Sequence, residues 1–339
     1  MRKTLTTAIT LVCFGVFMTA AHDADAAPVL LNPPTRTTCI PASFPLVIST
    51  PGSYLLTGNL SVNCNKDGID IQADNVVLDL GGFSIIGSGS AGAGIGINGG
   101  NRSNVSVKNG SVLNMPSGGI VLGASATITD VTASHTVSGD GIKMGDGIVR
   151  RVHADYNGSD GIEAIGTGSS TIEESEASNN SEEGIDIGDG AISATVASIN
   201  GGSGVECSGC SIVNADLKAN AGAGASCNGC TISNSNLSLN KTEGIVGSRA
   251  QITGNTVEIN TGIGINVFQS SVVGNTVVAN GGLGLEDSSN AANSVGNNYF
   301  SLNNGEQSPG GELQIDNATS IFISPNLCDN LLRTTAGSC

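Results

Sequence analysis

Tryptophan is absent from the 339 residues, and aromatic side chains of all kinds make up 3% of them. Compact sandwich and α/β domains rely on such rings to fill their centres. This chain must therefore build a thin core from Ile, Val, Leu and Ala. Positive charge is also scarce, with 13 Lys plus Arg against 29 Asp plus Glu and a formal net charge of −16. So few cations cannot neutralise a run of phosphates, so neither nucleic acid nor an anionic lipid surface is expected as a partner. An anionic polysaccharide would be repelled too, unless a bound cation intervened. No window carries a 3.6-residue apolar stripe long enough for a crossover helix, which removes βαβ architectures. Beyond the N-terminus no stretch is apolar enough to span a bilayer.

The N-terminus itself reads as an export signal. Arg2 and Lys3 precede an apolar stretch from Leu5 to Ala20, and Ala24-Asp25-Ala26 offers a small-x-small cleavage site. Residues 1–26 are expected to leave as a signal peptide. The mature chain is then secreted or periplasmic, with no membrane insertion after cleavage.

What is abundant is glycine, at 49 residues, and it is periodic. Aligning on Gly-Ile-x-apolar gives register glycines at Gly68, Gly94, Gly119, Gly141, Gly161, Gly184, Gly204, Gly224, Gly244, Gly264 and Gly284. The last five intervals are each 20 residues, a regularity that marks a repeat architecture. Each unit holds three short runs of alternating apolar and polar residues, strand signal, with Gly, Asn and Ser at the corners between them. In the unit 264–280 the second run is read over 271–276. Four residues before the register glycines stands an asparagine column: Asn157, Asn180, Asn200, Asn220, Asn240, Asn260 and Asn280. Stacked coils bring such side chains about 4.8 Å apart, close enough to bond as a ladder. The fold expected is all-β, a single-stranded right-handed parallel β-helix of about eleven coils over residues 67–292. An N-terminal cap is expected over 27–66 and a C-terminal cap over 293–339.

The runs PGSYLLTGNL (51–60) and GIDIQADNVVLDLGGFSIIG (68–87) resemble the opening of bacterial secreted β-helix repeat proteins of the pectin-lyase-like superfamily. The resemblance covers the mature chain and implies the fold. It does not choose an activity, because the superfamily holds lyases, polygalacturonases, epimerases, tailspikes and members without assigned activity. The polygalacturonase pattern of Asn-Thr-Asp, Asp-Asp and Gly-His-Gly is missing, since 255–257 and 275–277 read Asn-Thr-Val.

Alternation turns the residue after each register Ile outward. In successive coils that column reads Asp70, Gly96, Val121, Lys143, Glu163, Asp186, Glu206, Ser226, Val246, Asn266 and Glu286. Stacked carboxylates repel unless a cation relieves them. Glu163, Asp186 and Glu206 are therefore candidate ligands for Ca²⁺, a hard cation that prefers oxygen. Lys143, next in the column, is the candidate catalytic base for abstracting a proton α to a uronate carboxylate. The bland reading of the column is a solvated acidic face. Arg150, Arg151 and His153 form a second candidate patch, for substrate, with surface decoration as its alternative.

Eight cysteines remain in the mature chain: Cys39, Cys64, Cys207, Cys210, Cys227, Cys230, Cys328 and Cys339. Two CxxC pairs 20 residues apart look like a zinc site out of context. In an exported chain disulfides are expected instead, with Cys39–Cys64, Cys328–Cys339 and two bridges among the central four. Those two run either within a coil or up the stack.

Two functions follow. One is a protein that binds or acts on an extracellular polysaccharide, through lyase or epimerase chemistry if it is an enzyme, with Ca²⁺ the cofactor to consider. The other is a non-catalytic structural or cell-surface rod. Oligomeric state is left open.

Overall fold

A computed structural model describes residues 27–34, 44–63, 66–90, 92–287 and 293–303, together with short strands at 315–316, 321–322, 326–328 and 331–333. The signal segment 1–26 lies outside the described residues, as do Cys39, Cys64 and Cys339.

The chain winds as a right-handed parallel β-helix of about 12 turns, and no helix occurs among the described residues. A regular coil has three strands, for example Ile265–Phe268, Ser271–Val273 and Thr276–Val278. Each pairs in parallel with its counterpart one coil on, Ile265 opposite Leu285, Val272 opposite Val295 and Val277 opposite Phe300. The run read over 271–276 is broken at Gly274, whose φ of 70° turns the corner between two strands.

Alternation sends two residues of each first strand inward and one apolar residue of each second and third strand. The first strands contribute Ile142, Ile162, Ile185, Val205, Ala225, Ile245, Ile265 and Leu285, all fully buried. The second strands contribute Ile172, Ile192, Ile212, Ile232 and Ile252, and the third Ala177, Ala197, Leu217, Leu237 and Val257. Each large aliphatic side chain so buried is worth about 1.5–3 kcal/mol. Four modest side chains per coil, such as Ile265, Val267, Val272 and Val277, fill the bore, which explains how the chain folds without tryptophan.

The asparagine column is a ladder. From Asn157 to Asn303 each Nδ2 donates to the Oδ1 of the next asparagine at 2.8–3.1 Å. Each main-chain N–H from Asn157 to Asn280 donates to the same oxygen. The second amide hydrogen reaches a carbonyl of the preceding coil, as in Asn220 to Ala197 at 3.1 Å. Inside the ladder every side-chain donor and acceptor is satisfied, which lets a buried corner be polar.

The register glycines answer to this packing. A Cβ on Gly224 would lie 2.7 Å from the Gly244 carbonyl oxygen and 2.9 Å from the Asn240 amide nitrogen. The column is glycine because the next coil and its ladder amide leave no room. One register position needs correction. Ile69 pairs with Ile97, and Ile97 with Ile120, so the glycine of that coil is Gly96 rather than Gly94. Asn98, not Gly96, therefore continues the outward column.

The stack also extends past both expected boundaries. Leu46–Ile48, Gly52–Leu56 and Leu60–Val62 pair in parallel with the strands of residues 69–87 and so form a coil of their own. At the other end Ser294–Gly296 and Tyr299–Ser301 stay in the parallel stack, and Phe300 is fully buried. Asn326–Cys328 pairs antiparallel with Leu331–Arg333, and there the winding stops among the described strands.

Candidate functional site

The first strands form one continuous sheet, and Lys143, Glu163, Asp186 and Glu206 face one another directly across consecutive coils. A second acidic column runs beside them, one residue before the register glycines. It contains Asp140, Asp160 and Glu183, with Glu182 next to it. Its sequence signal is the Asp before the register glycine in SGDGIK (138–143) and GSDGIE (158–163).

Lys143 is bound between the columns. Its Nζ donates to Glu163 Oε2 and lies 3.8 Å from Asp140 Oδ2. Partial burial works to lower the pKa of the ammonium, but the Glu163 hydrogen bond and the charges of Glu163, Asp140 and Asp160 outweigh it and leave it raised. Lys143 is thus held in ion pairs within an acidic cluster.

The carboxylates register the crowding. Burial, reinforced by Asp140, Glu183 and Asp186 and opposed by the Glu183 N–H, pushes Asp160 up to about 7. Asp186 is pushed to about 6, first by burial and then by Glu206 and Glu163. Burial also raises Glu163, against the pull of Lys143. Asp160 accepts the Glu183 N–H at 2.8 Å, and Glu182 accepts the Ser159 hydroxyl at 2.8 Å.

Glu163, Asp186 and Glu206 stack, yet among the described residues their oxygens are not gathered around one point. The acidic sets whose oxygens lie within 4.8 Å of one another are Asp140, Asp160 and Glu163, and Asp160, Glu182 and Glu183. On the same sheet, towards the N-terminus, an open depression of about 500 Å³ is lined by Asp70, Gln72, Asn101 and Arg102.

Arg150, Arg151 and His153 do not join this site. Arg150 ends a second strand, Arg151 occupies the corner with φ 51°, and His153 starts a third strand. Arg150 is paired with Glu173 and Glu174, and Arg151 grips both oxygens of Asp130 at 2.7 and 2.9 Å. Neither guanidinium is open to a substrate carboxylate without exchanging these partners.

Cys207 is bonded to Cys210 and Cys227 to Cys230, each pair with Cα atoms 6.0 Å apart. The bridges therefore run within coils, and the two coils stack Cys207 on Cys227. With their sulfurs in S–S bonds the four cysteines are not a zinc site. Cys328 is also disulfide-bonded.

The family model described as "Right handed beta helix region" matches residues 93–246 and 149–300. No curated protein matches the chain in sequence. The A-module of the Azotobacter vinelandii mannuronan C-5 epimerase AlgE6 is similar in structure, with a TM-score of 0.62 and 19% identity over 83% of this chain and 90% of that one. The Dettilon tailspike protein gp208 has a TM-score of 0.51 and 18% identity over 75% of this chain and 57% of that one. At these identities the likeness shows the fold.

Proposed function

The chain belongs to the right-handed beta helix family, and on that scaffold we propose that it binds an extracellular anionic polysaccharide along the outer face of its first-strand sheet, through Ca²⁺. The observation carrying this is the imbalance at the cluster. Asp140, Asp160, Glu163, Glu182, Glu183, Asp186 and Glu206 gather over successive coils around the single ammonium of Lys143. Lys143 is already paired with Glu163 and lies near Asp140, and its one charge offsets only one of the two carboxylates. The uncompensated set is Asp160, Glu182 and Glu183, whose convergent oxygens suit a hard cation. A cation there would relieve the repulsion and offer open coordination positions to a sugar carboxylate. The long flat sheet, with the depression at Arg102 further along it, fits a polymer better than a small molecule.

With Lys143 engaged by Glu163 and Asp140, cation-mediated binding is the reading the cluster supports best. Bridges closed within the coils suit an oxidising compartment, secreted or periplasmic. The epimerase likeness makes polymannuronate the first polymer to try. Retention of the purified chain on immobilised polymannuronate is measured with Ca²⁺ and with chelator, for the wild type and for Asp160→Asn/Glu183→Gln. Ca²⁺-dependent retention lost in the double variant supports the proposal. Lack of retention on polymannuronate and on a panel of uronate glycans would sink it and favour the non-catalytic structural rod.

A further inference from the structure

We propose a metal site on a different face, made by His153, Asp155 and Glu176 and taking a borderline divalent cation of the Zn²⁺ type. The strands His153–Asp155 and Glu176–Ser178 are neighbours in the third-strand sheet, with His153 opposite Glu176 and Asp155 opposite Ser178. Alternation buries Ala154 completely and turns His153 and Asp155 to the same outer side. One donor atom from each of the three residues lies within 4.8 Å of the other two.

Two features separate this trio from a chance surface grouping. His153 Nδ1 stands 3.3 Å from Glu176 Oε2, longer than a charge-assisted hydrogen bond of about 2.7–2.9 Å. It matches the edge, roughly 3.3 Å, of a tetrahedron of N and O ligands placed about 2.0–2.1 Å from Zn²⁺. The second feature is the support behind the carboxylates. The Ser178 hydroxyl donates to Glu176 Oε1 at 3.2 Å, and the Ser178 N–H donates to Asp155 Oδ1 at 3.0 Å. Each carboxylate thus has one oxygen fixed from behind, while Glu176 turns its Oε2 to His153 and Asp155 keeps its Oδ2 for a cation. Ser178 is itself 2.9 Å from the Ser198 hydroxyl, so the anchor is part of the stack. Outer-shell hydrogen bonds of this kind orient metal ligands.

The nearby cations do not fill the place, since Arg150 and Arg151 are engaged with Glu173, Glu174 and Asp130. His135, stacked on Tyr156 with ring centroids 5.1 Å apart, is held one coil away. One imidazole with two carboxylates favours Zn²⁺, Co²⁺ or Ni²⁺ over Ca²⁺, which takes six to eight oxygens. Three protein ligands leave a fourth position to water.

Untagged, chelator-stripped full-length mature protein is titrated with ZnCl₂ in excess Ca²⁺, which keeps the acidic first-strand face out of the signal. One Zn²⁺ per chain is expected. His153→Gln and Glu176→Gln should each weaken it at least about 10-fold and remove the visible absorption of the Co²⁺ complex, whereas Asp160→Asn should change neither. His153 is exposed and Glu176 half-buried, and unchanged melting confirms that the variants fold. Zn²⁺ bound by His153→Gln as tightly as by wild type, or not bound by wild type, overturns the site. Either result leaves the polysaccharide reading untouched, because that rests on other residues and another ion.

Discussion

Asn220→Ala tests the ladder at its centre. Asn220 is fully buried. Its Oδ1 accepts the main-chain N–H and the amide of Asn200, both at 3.0 Å, and its Nδ2 donates to Asn240 Oδ1 at 3.0 Å and to the Ala197 carbonyl at 3.1 Å. Truncation deletes all four bonds. The Asn200 amide keeps its bond to Ala177, and Asn240 Oδ1 keeps the Asn220 N–H. The Asn200 main-chain N–H, however, loses its acceptor in a dry corner. An orphaned buried donor costs about 1–3 kcal/mol and each of the three other lost bonds about 0.5–1.5, so roughly 5 kcal/mol is expected in all. Gln251→Ala, an exposed position in the same stack, should stay within about 0.5 kcal/mol. Urea unfolding followed by circular dichroism compares the two. Because coils feel chiefly their neighbours, hydrogen exchange should speed up near residues 177–260 and stay unchanged over 69–113. Equal midpoints for the two variants, or faster exchange spread evenly along the rod, would refute the ladder as the source of corner stability.

Two further outcomes follow. The Asp160 carboxyl, near 3.9 when unfolded and pushed up to about 7 when folded, binds its proton more tightly in the native state; its stabilisation is full below pH ~4 and is lost as pH rises to about 7. Without Ca²⁺ the melting temperature should therefore be higher at pH 5 than at pH 8, and Asp160→Asn, which keeps the oxygen that Glu183 donates to, should raise it at pH 8; a drop in that variant at pH 8 would contradict the assignment. Trypsin cleavage at Lys218, between the two bridges, should release Cys207–Cys210 and Cys227–Cys230 on separate non-reduced peptides, whereas a single linked species would mean bridges up the stack.

The repeat was legible because its period is constant where the chain is most regular. From Gly184 onward a count of 20 lands on the same corner every time. The error at Gly94 arose where two Gly-Ile dipeptides, at 94–95 and 96–97, fit the pattern equally and only strand pairing separates them. A second ladder, Asn255 to Asn275 to Asn298 to Asn326, went unread. Its spacing drifts to 23 and 28 residues, and earlier coils fill the same place with Ser175 and Ser235, which bond there through hydroxyls. The repeated Gly-Asn-Thr at 254–256 and 274–276 was the available signal. At the acidic face the column after the glycine was readable from strand alternation. The role of Lys143 was not, because it depends on how closely Asp140 approaches across a corner, and alternation within one strand carries no information about that.

The ladder also has a direction. Main-chain bonds between coils point both ways, as with Gly68 N to Ile95 O and Gln72 N to Ile48 O, so their dipoles largely cancel. In the ladder itself the amide-to-amide bonds all run one way, each Nδ2 donating to the following Oδ1 while its second hydrogen returns to the preceding coil, and aligned bonds of this kind polarise one another. The rod is consequently polar along its axis, in the manner of a single long helix but by side chains alone. Its first rung, Asn157, takes in the Thr136 N–H at 3.3 Å, while Asn326, the last rung of the second ladder, carries amide hydrogens without an acceptor among the described residues. The two ends are thus chemically unlike.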